Sequence, residues 1–270
     1  MTGIIGMIGI IAGNGALPVL LASKLKAEGN SAVIAAHLYE ADEILETLSK
    51  DHIWIQVGAL KKIITFFKKN KVTEIVFVGG IKKSRLFKTF RPDFLTVKAL
   101  INAKTNNDDS VLRNVLSVFE KEGFIVKSIQ DFLPELLPQK GVLTSRGLTT
   151  DEKENMEIGI PVAKAIGSLD VGQAVFVSKK SVVAVEAIEG TDEMLKRVIS
   201  LGVKGGVLVK FSKGNQDTRV DLPTIGVQTI LRLSEIGASA VVIEAQKTII
   251  LEPQEVITAA EKFGIAIEAV

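Results

Sequence analysis

The residues best suited to chemistry lie between Lys210 and Thr224. Lys210 and Lys213 precede the run Gln216-Asp217-Thr218-Arg219-Val220-Asp221-Leu222-Pro223-Thr224. If the chain is extended from 217 to 221, alternation puts Asp217, Arg219 and Asp221 on one side. Two carboxylates flanking a guanidinium could hold a divalent cation, a phosphate and a water, with the arginine keeping both acids ionised. The competing reading is a structural ion pair on a loop, with Pro223 opening the helix that follows.

Four further clusters could bind a ligand. Gly13-Asn14-Gly15-Ala16-Leu17-Pro18 reads as a strand end, a tight turn and a helix start, where free N–H groups suit a phosphate. Pro18 stands where a dinucleotide fingerprint would have its third glycine, and a turn with no ligand explains the loop equally well. Gly79-Gly80-Ile81-Lys82-Lys83-Ser84-Arg85, with Lys88 and Arg91 beyond, sets cations after a strand, as a diphosphate site or a solvated basic loop would. In Asn107-Asp108-Asp109-Ser110 an acid before a helix is ordinary capping, with Asp108 or Asp109 as the cap, but two adjacent carboxylates exceed that need and could also serve a ligand or metal. Between Ser181 and Arg197, Glu186, Glu189, Thr191 and Asp192 gather where a strand gives way to a helix. There Asp192 with Lys196, and Glu193 with Arg197, have the spacing of surface ion pairs, while Glu189 and Thr191 lie in the turn as ligand candidates.

Composition removes other chemistries. The chain has no cysteine, so thiolate catalysis, disulfides and sulfur-bound zinc are excluded. Its two histidines, His37 and His52, sit beside no nucleophile motif, and no phosphate-binding P-loop occurs. A catalytic metal would rest on oxygen ligands, which points to Mg2+ or Mn2+. The net charge of +2 argues against nucleic acid as a partner. Absence of cysteine fits a cytoplasmic protein. Met1–Ala22 carries no charge, but Gly13-Asn14-Gly15 and Pro18 interrupt it and no basic segment precedes it, so a strand, loop and helix is the better reading than a membrane span.

The elements that must position these clusters alternate. Strands are expected at Met7–Ala12, Ser31–Leu38, Glu74–Val78 and Phe124–Ser128, and helices at Leu17–Glu28, Leu60–Lys69 and Asp109–Glu122. Such alternation implies parallel pairing in a Rossmann-like domain over residues 1–132. Residues 133–150, with Pro134, Pro138, Gly141 and Gly147, read as a linker. Residues 151–270 read as a second α/β domain with a mixed sheet. Its helices are expected at Asn155–Ile166, Asp192–Leu201, Ile225–Ile236 and Pro253–Phe263. Its strands are expected at Ala174–Val177, Ser181–Ile188, Gly206–Phe211, Ala240–Glu244 and Ile265–Ala269, the first two as a hairpin.

Several stretches resemble one family nearly end to end: IGIIAGNGALP from Ile8, FVGGIKK from Phe77, RPDFLT from Arg91, DDSVLR from Asp108, EKEGF from Glu120, LDVGQAVFV from Leu169, VEAIEGTDEML from Val185, LVK from Leu208 and QDTRVDLPTIGVQTI from Gln216. The chain is similar to the LpxI-type UDP-2,3-diacylglucosamine pyrophosphatases. The resemblance implies hydrolysis of UDP-2,3-diacylglucosamine to UMP and 2,3-diacylglucosamine 1-phosphate (lipid X) in lipid A biosynthesis, with magnesium or a similar ion. It implies two domains enclosing a lipid, and an acyl-chain cavity within the high apolar content. It carries the family's essential aspartate onto Asp221, as metal ligand or water-positioning acid, with Gln216, Asp217 and Arg219 around it and Asp217 as second metal ligand. Gly13, Asn14, Gly15, Gly80, Lys83, Asp109, Gln173, Glu189, Thr191, Lys210 and Thr224 become substrate-binding candidates. The chain departs from the family at Gly214-Asn215, where Pro-Gly is usual, and in a longer start before Met7. Peripheral contact with the inner membrane and a homodimer are both compatible with such a substrate. Two other readings stand beside it: a Rossmann oxidoreductase, with Glu40 and Asp42 after the second strand, and a non-catalytic binder of nucleotide sugars or lipids.

Overall fold

The computed structural model describes residues 7–81, 90–101, 108–214, 217–220 and 222–270, with the backbone alone at 108 and 109. The chain divides between Pro134 and Glu135 into two compact units.

Unit 1 holds a five-stranded sheet of β1 (Met7–Ala12), β2 (Ala32–His37), β3 (His52–Ile55), β4 (Val72–Val78) and β5 (Ile125–Lys127). The order is β3-β2-β1-β4-β5 and every pairing is parallel. Parallel strands buried on both faces carry continuous apolar runs, and β1 and β2 do so. Helix Leu60–Lys69 repeats its apolar residues at helical spacing and buries Leu60, Ile63, Ile64 and Phe67. Phe67, Phe119 and Phe124 meet edge-on below it, with Phe67–Phe124 centroids 6.2 Å apart and Phe119–Phe124 centroids 6.0 Å apart. The strand order reverses between β1 and β4. In such sheets ligands bind at the carboxyl ends of the strands at that switch point.

Unit 2 holds a six-stranded mixed sheet of β6 (Gly141–Val142), β7 (Ala174–Ser178), β8 (Ser181–Val185), β9 (Val207–Lys210), β11 (Ala240–Ile243) and β13 (Ala266–Ala269). The order is β6-β13-β11-β9-β7-β8. β9, β11 and β13 run parallel, while β6, β7 and β8 run against their neighbours. A separate parallel pair joins β10 (Thr224–Ile225) to β12 (Ile249–Ile250).

Alternation along the central strands sorts residues to two cores. Phe176, Leu208, Val241 and Ile243 face helices Thr191–Ser200, Val227–Ile236 and Pro253–Lys262, whose Met194, Leu195, Ile230, Leu233 and Val256 are buried with them. Val175, Val177, Val207, Val209 and Val242 face helix Thr150–Ser168 through Ala163.

That helix begins five residues before the expected Asn155. Thr149 and Glu152 form a capping box at its start, an N-terminal signal stronger than apolar spacing. The segment ahead of it is bound into unit 2. β6 pairs with β13, Thr144 Oγ1 accepts from Ile267 N at 3.0 Å, and Arg146 makes two bonds to Glu152, at 2.9 and 3.0 Å. Burial alone would raise the Glu152 pKa. The Arg146 and Thr149 hydrogen bonds outweigh it and hold the carboxyl below its usual range. Among the described residues, no helix is long and apolar enough to cross a membrane.

Candidate functional site

Two carboxyl edges, one in each unit, gather the candidate residues. In unit 1 the loops after β1 and β4 are locked together by backbone. Gly13 N donates to Val78 O at 2.8 Å, Asn14 N to Gly80 O at 2.8 Å, and Gly80 N to Asn14 O at 3.3 Å. Two clusters 66 residues apart in sequence, Asn14 facing Gly80, thus form one platform at the switch point. Only glycine permits the approach: a Cβ on Gly13 would stand 2.3 Å from Gly80 O, and one on Gly79 (φ +82°) 2.3 Å from Asn14 O. Gly15 faces open space.

Polar side chains from the end of β2 complete this edge. Asn14 Nδ2 donates to Glu40 Oε2 at 3.1 Å, and the Glu40 residue is buried. His37 Nδ1 lies 3.1 Å from the Ala12 carbonyl, and burial lowers the His37 pKa. A neutral ring then donates from Nδ1, tying the base of the Gly13 loop to β2.

In unit 2, β7 starts, β8 ends and β9 ends at one edge, because β7 runs antiparallel to β8 and β9. That geometry brings Gln173, Glu186 and Lys210 together. Lys210 is 5% exposed and Glu186 is 6% exposed, so both ionisable groups are held inside and must be satisfied there. Lys210 Nζ donates to Thr191 Oγ1 at 3.0 Å and to Thr224 O at 2.8 Å. Thr191 Oγ1 donates on to Glu186 Oε1 at 3.1 Å, and Glu186 Oε2 accepts from Gln173 N at 3.2 Å. The Thr224 carbonyl is placed by the β10–β12 pair, with Ile249 N donating to Pro223 O at 2.8 Å. The chain passes close at Gly172, where a Cβ would stand 2.1 Å from Glu186 O. Gln173 Oε1 is buried without a hydrogen-bond partner among the described residues.

The segment after β9 departs from the expected extended form. Residues 218–220 make a turn, with Val220 N donating to Asp217 O at 3.0 Å. Asp217 Oδ1 accepts from Arg219 N at 3.1 Å and from Nε at 2.9 Å, while Oδ2 accepts from Nη2 at 2.7 Å. A short acid bonding to the backbone two residues on favours a turn over a strand, so alternation does not order these side chains.

The expected pairs on helix Thr191–Ser200 also differ. Lys196 pairs with Glu193 at 2.6 Å, and Arg197 reaches back to Glu189 at 2.6 Å and to Val185 O at 2.8 Å. Glu189 is therefore held in an exposed ion pair, while the residue that joins Thr191 and Gln173 is Glu186. Its signal in the sequence is its place as an acid at the end of a strand, just past Val185, and only the folded edge reveals its partners. Asp221, Gln216 and Lys83 lie outside the described residues. Asp109 lies in the first turn of helix Asp108–Lys121, with only its backbone described.

Among the described residues, no group of three or more histidines and acids stands ready to cage a metal. Asp217 is the described carboxylate of the expected metal pair. Magnesium commonly takes one or two carboxylates and completes its shell with phosphate oxygens and water. Both Asp217 oxygens accept hydrogen bonds from Arg219.

Residues 7–136 match the LpxI N-terminal domain family, and residues 139–268 match the LpxI C-terminal domain family. The chain is 36% identical over 269 residues to a Caulobacter vibrioides protein named UDP-2,3-diacylglucosamine pyrophosphatase LpxI, covering 96% of this chain and 95% of that one. Among solved structures, the biotin carboxylase domain of a thermophilic 2-oxoglutarate carboxylase bound to ADP aligns at 12% identity and a TM-score of 0.25, over 73% of this chain and 40% of that one. The biotin carboxylase subunit of pyruvate carboxylase aligns at 14% and 0.25, over 72% and 40%. Overlaps at that score carry no argument about fold or activity. With both domain families matched in order and a relative aligned over nearly its whole length, the chain belongs to the LpxI family.

Proposed function

We propose that this chain hydrolyses the pyrophosphate bond of UDP-2,3-diacylglucosamine, releasing UMP and 2,3-diacylglucosamine 1-phosphate. The observation that carries the reading is the full-length match to a protein of that name. The buried Lys210 network agrees with it. A buried cation held by Thr191 Oγ1 and the Thr224 carbonyl at a sheet edge suits charge building on a phosphoryl group.

In this reading Lys210 bears on a phosphoryl oxygen, with Glu186 as its positioning partner through Thr191. Holding the ammonium in place beforehand avoids reorganisation as charge develops. Gln173 Oε1, buried and without a partner among the described residues, accepts a hydrogen bond from a hydroxyl or amide of the acylated sugar. Asp217 and Asp221 would hold magnesium or manganese, which would neutralise phosphate charge and help to ionise water. Arg219 fixes the direction of the Asp217 carboxylate.

Incubation of the purified protein with UDP-2,3-diacylglucosamine and magnesium should release UMP, and a chelator should stop it. Asp221→Ala should lose most turnover while keeping substrate binding and the unfolding midpoint. A folded wild-type protein that releases no UMP contradicts the activity. An active Asp221→Ala variant removes that residue from the chemistry.

A further inference from the structure

In unit 2 the segment that joins β9 to β10 carries Asp217 and Arg219, and one short stretch after β11 holds both of its ends. β9 and β11 run parallel with Lys210 opposite Ile243, so Ser212 and Glu244 leave the sheet at the same carboxyl edge. At the start of the segment Ser212 N donates to Glu244 Oε2 at 3.0 Å, and Ser212 Oγ donates to the same oxygen. At its end Ile249 N donates to Pro223 O at 2.8 Å, and β12 pairs with β10. Between the two grips the chain turns back on itself, with Thr248 N donating to the Glu244 carbonyl at 3.1 Å.

The turn is fixed from outside. Gln246 takes a left-handed φ of +58°, a conformation that persists only where neighbours hold it. Its N donates to Pro138 O at 2.9 Å, and its Nε2 to Gln139 Oε1 at 2.7 Å. The start of the segment is held by a side chain, whereas the end is held by backbone. Glu244 Oε1 accepts from Lys247 Nζ at 2.7 Å, so both carboxylate oxygens are engaged. Burial alone would raise the Glu244 pKa. The bonds from Lys247 and Ser212 outweigh it and keep the carboxyl below its usual range. An ionised acceptor makes the stronger bond, and one engaged at both oxygens keeps a single orientation. The next residue is also pinned, with Lys213 Nζ 2.6 Å from Asp170 Oδ1.

We infer that Glu244 is a positioning residue for the proposed hydrolysis: its grip on Ser212 sets the direction in which the chain leaves Lys210 toward Asp217 and Arg219. The inference rests on the proposed function and adds a residue that acts through the chain and touches no substrate. Phosphoryl transfer is sensitive to such placement, since a displacement of about 1 Å in a positioned group can cost about a hundredfold in rate.

The test is a double-mutant cycle on the full chain, read as steady-state release of UMP from UDP-2,3-diacylglucosamine with magnesium. Glu244→Ala should lower kcat about tenfold and move KM less than about threefold. Glu244→Gln keeps an oxygen for Ser212 and should restore most of that loss. Ser212→Ala loses one of two bonds and should cost less than Glu244→Ala. Because the two residues act as one unit, the double variant should be no slower than Glu244→Ala alone. Glu152→Gln removes a buried carboxylate elsewhere in unit 2 and serves as the control, lowering the unfolding midpoint with kcat unchanged.

A cycle in which the two losses multiply overturns the inference. So does a Ser212→Ala enzyme slower than Glu244→Ala, which puts the hydroxyl itself in the chemistry. A kcat that falls equally in the Glu152→Gln control assigns Glu244 to stability alone and also overturns it. If Glu244→Ala does not fold, Glu244→Gln with Ser212→Ala runs the same cycle. A folded wild type that releases no UMP contradicts the proposed function and takes this inference with it. An active wild type whose kcat is untouched by loss of the Glu244 carboxylate contradicts this inference alone.

Discussion

The two carboxyl edges reach order by different means. In unit 1 the platform is backbone on backbone, with glycines where the Gly13 and Gly80 loops cross. In unit 2 the edge is built from side chains, with Lys210, Thr191 and Glu186 handing hydrogen bonds along a buried line. The backbone platform requires the absence of side chains, and the polar line requires particular ones. The first should therefore fail through added bulk and the second through lost functional groups.

The largest effect is expected at the polar line. Lys210→Met keeps length and removes charge, so UMP release should fall about a hundredfold or more, the scale set by losing one preorganised group at a developing charge. Circular dichroism should show the fold retained. Glu186→Gln keeps the shape of the acceptor but weakens its hold on Thr191. Turnover should drop about tenfold, in kcat more than in KM, since its role is to position Lys210. A Glu186→Gln enzyme as impaired as Lys210→Met would move Glu186 from positioning into direct contact with substrate.

At the platform, Gly79→Ala should destabilise unit 1 by about 1–3 kcal/mol in denaturant unfolding, because the site is both left-handed and crowded by the Asn14 carbonyl. The opposite change, Asn14→Ala, should cost less stability, since the crossing bonds there are backbone bonds. A larger loss from Asn14→Ala would erase the contrast between the edges.

The smallest effects come from pH. His37 has a lowered pKa, so its unfolded form binds a proton first. Stability from its neutral state is complete above the ordinary histidine value of 6.5 and declines as pH falls below it. Removing the ring by His37→Phe should flatten that slope in the unfolding of unit 1. Glu152 in unit 2 behaves as a carboxyl with a lowered pKa. Its contribution is present above the ordinary carboxylate range and is lost as pH falls through the folded value. Glu152→Gln should destabilise by about 1 kcal/mol at neutral pH. The gap from wild type should close on acidification.

Much of this was legible in the sequence where periodicity speaks. β7, β9 and β11 are short apolar runs between turn residues, and their alternating sides reach the two cores as the pattern implies. The glycine loops were visible as turns, but their union depends on strand order, which no local pattern encodes. β3 was missed because His52–Ile55 is short and half-exposed, and helix Phe94–Ile101 was missed because its apolar face points outward. At 218–220 the extended form gives way to the alternative of an ion pair on a loop, because an aspartate bonding the backbone two residues on outweighs alternation. Lys210, Thr191 and Thr224 stand out in the sequence clusters and Gln173 in the family resemblance, and the sheet edge supplies the physical reason they meet. Glu186 was visible as an acid at a strand end, and only the fold supplies its partners.

The most direct test is phosphorus NMR of UDP-2,3-diacylglucosamine mixed with magnesium and either wild-type protein or Lys210→Met. The account predicts conversion to UMP and the sugar 1-phosphate by wild type, with the variant slowed about a hundredfold. An unchanged diphosphate signal with folded wild type, or a variant as fast as wild type, would contradict it.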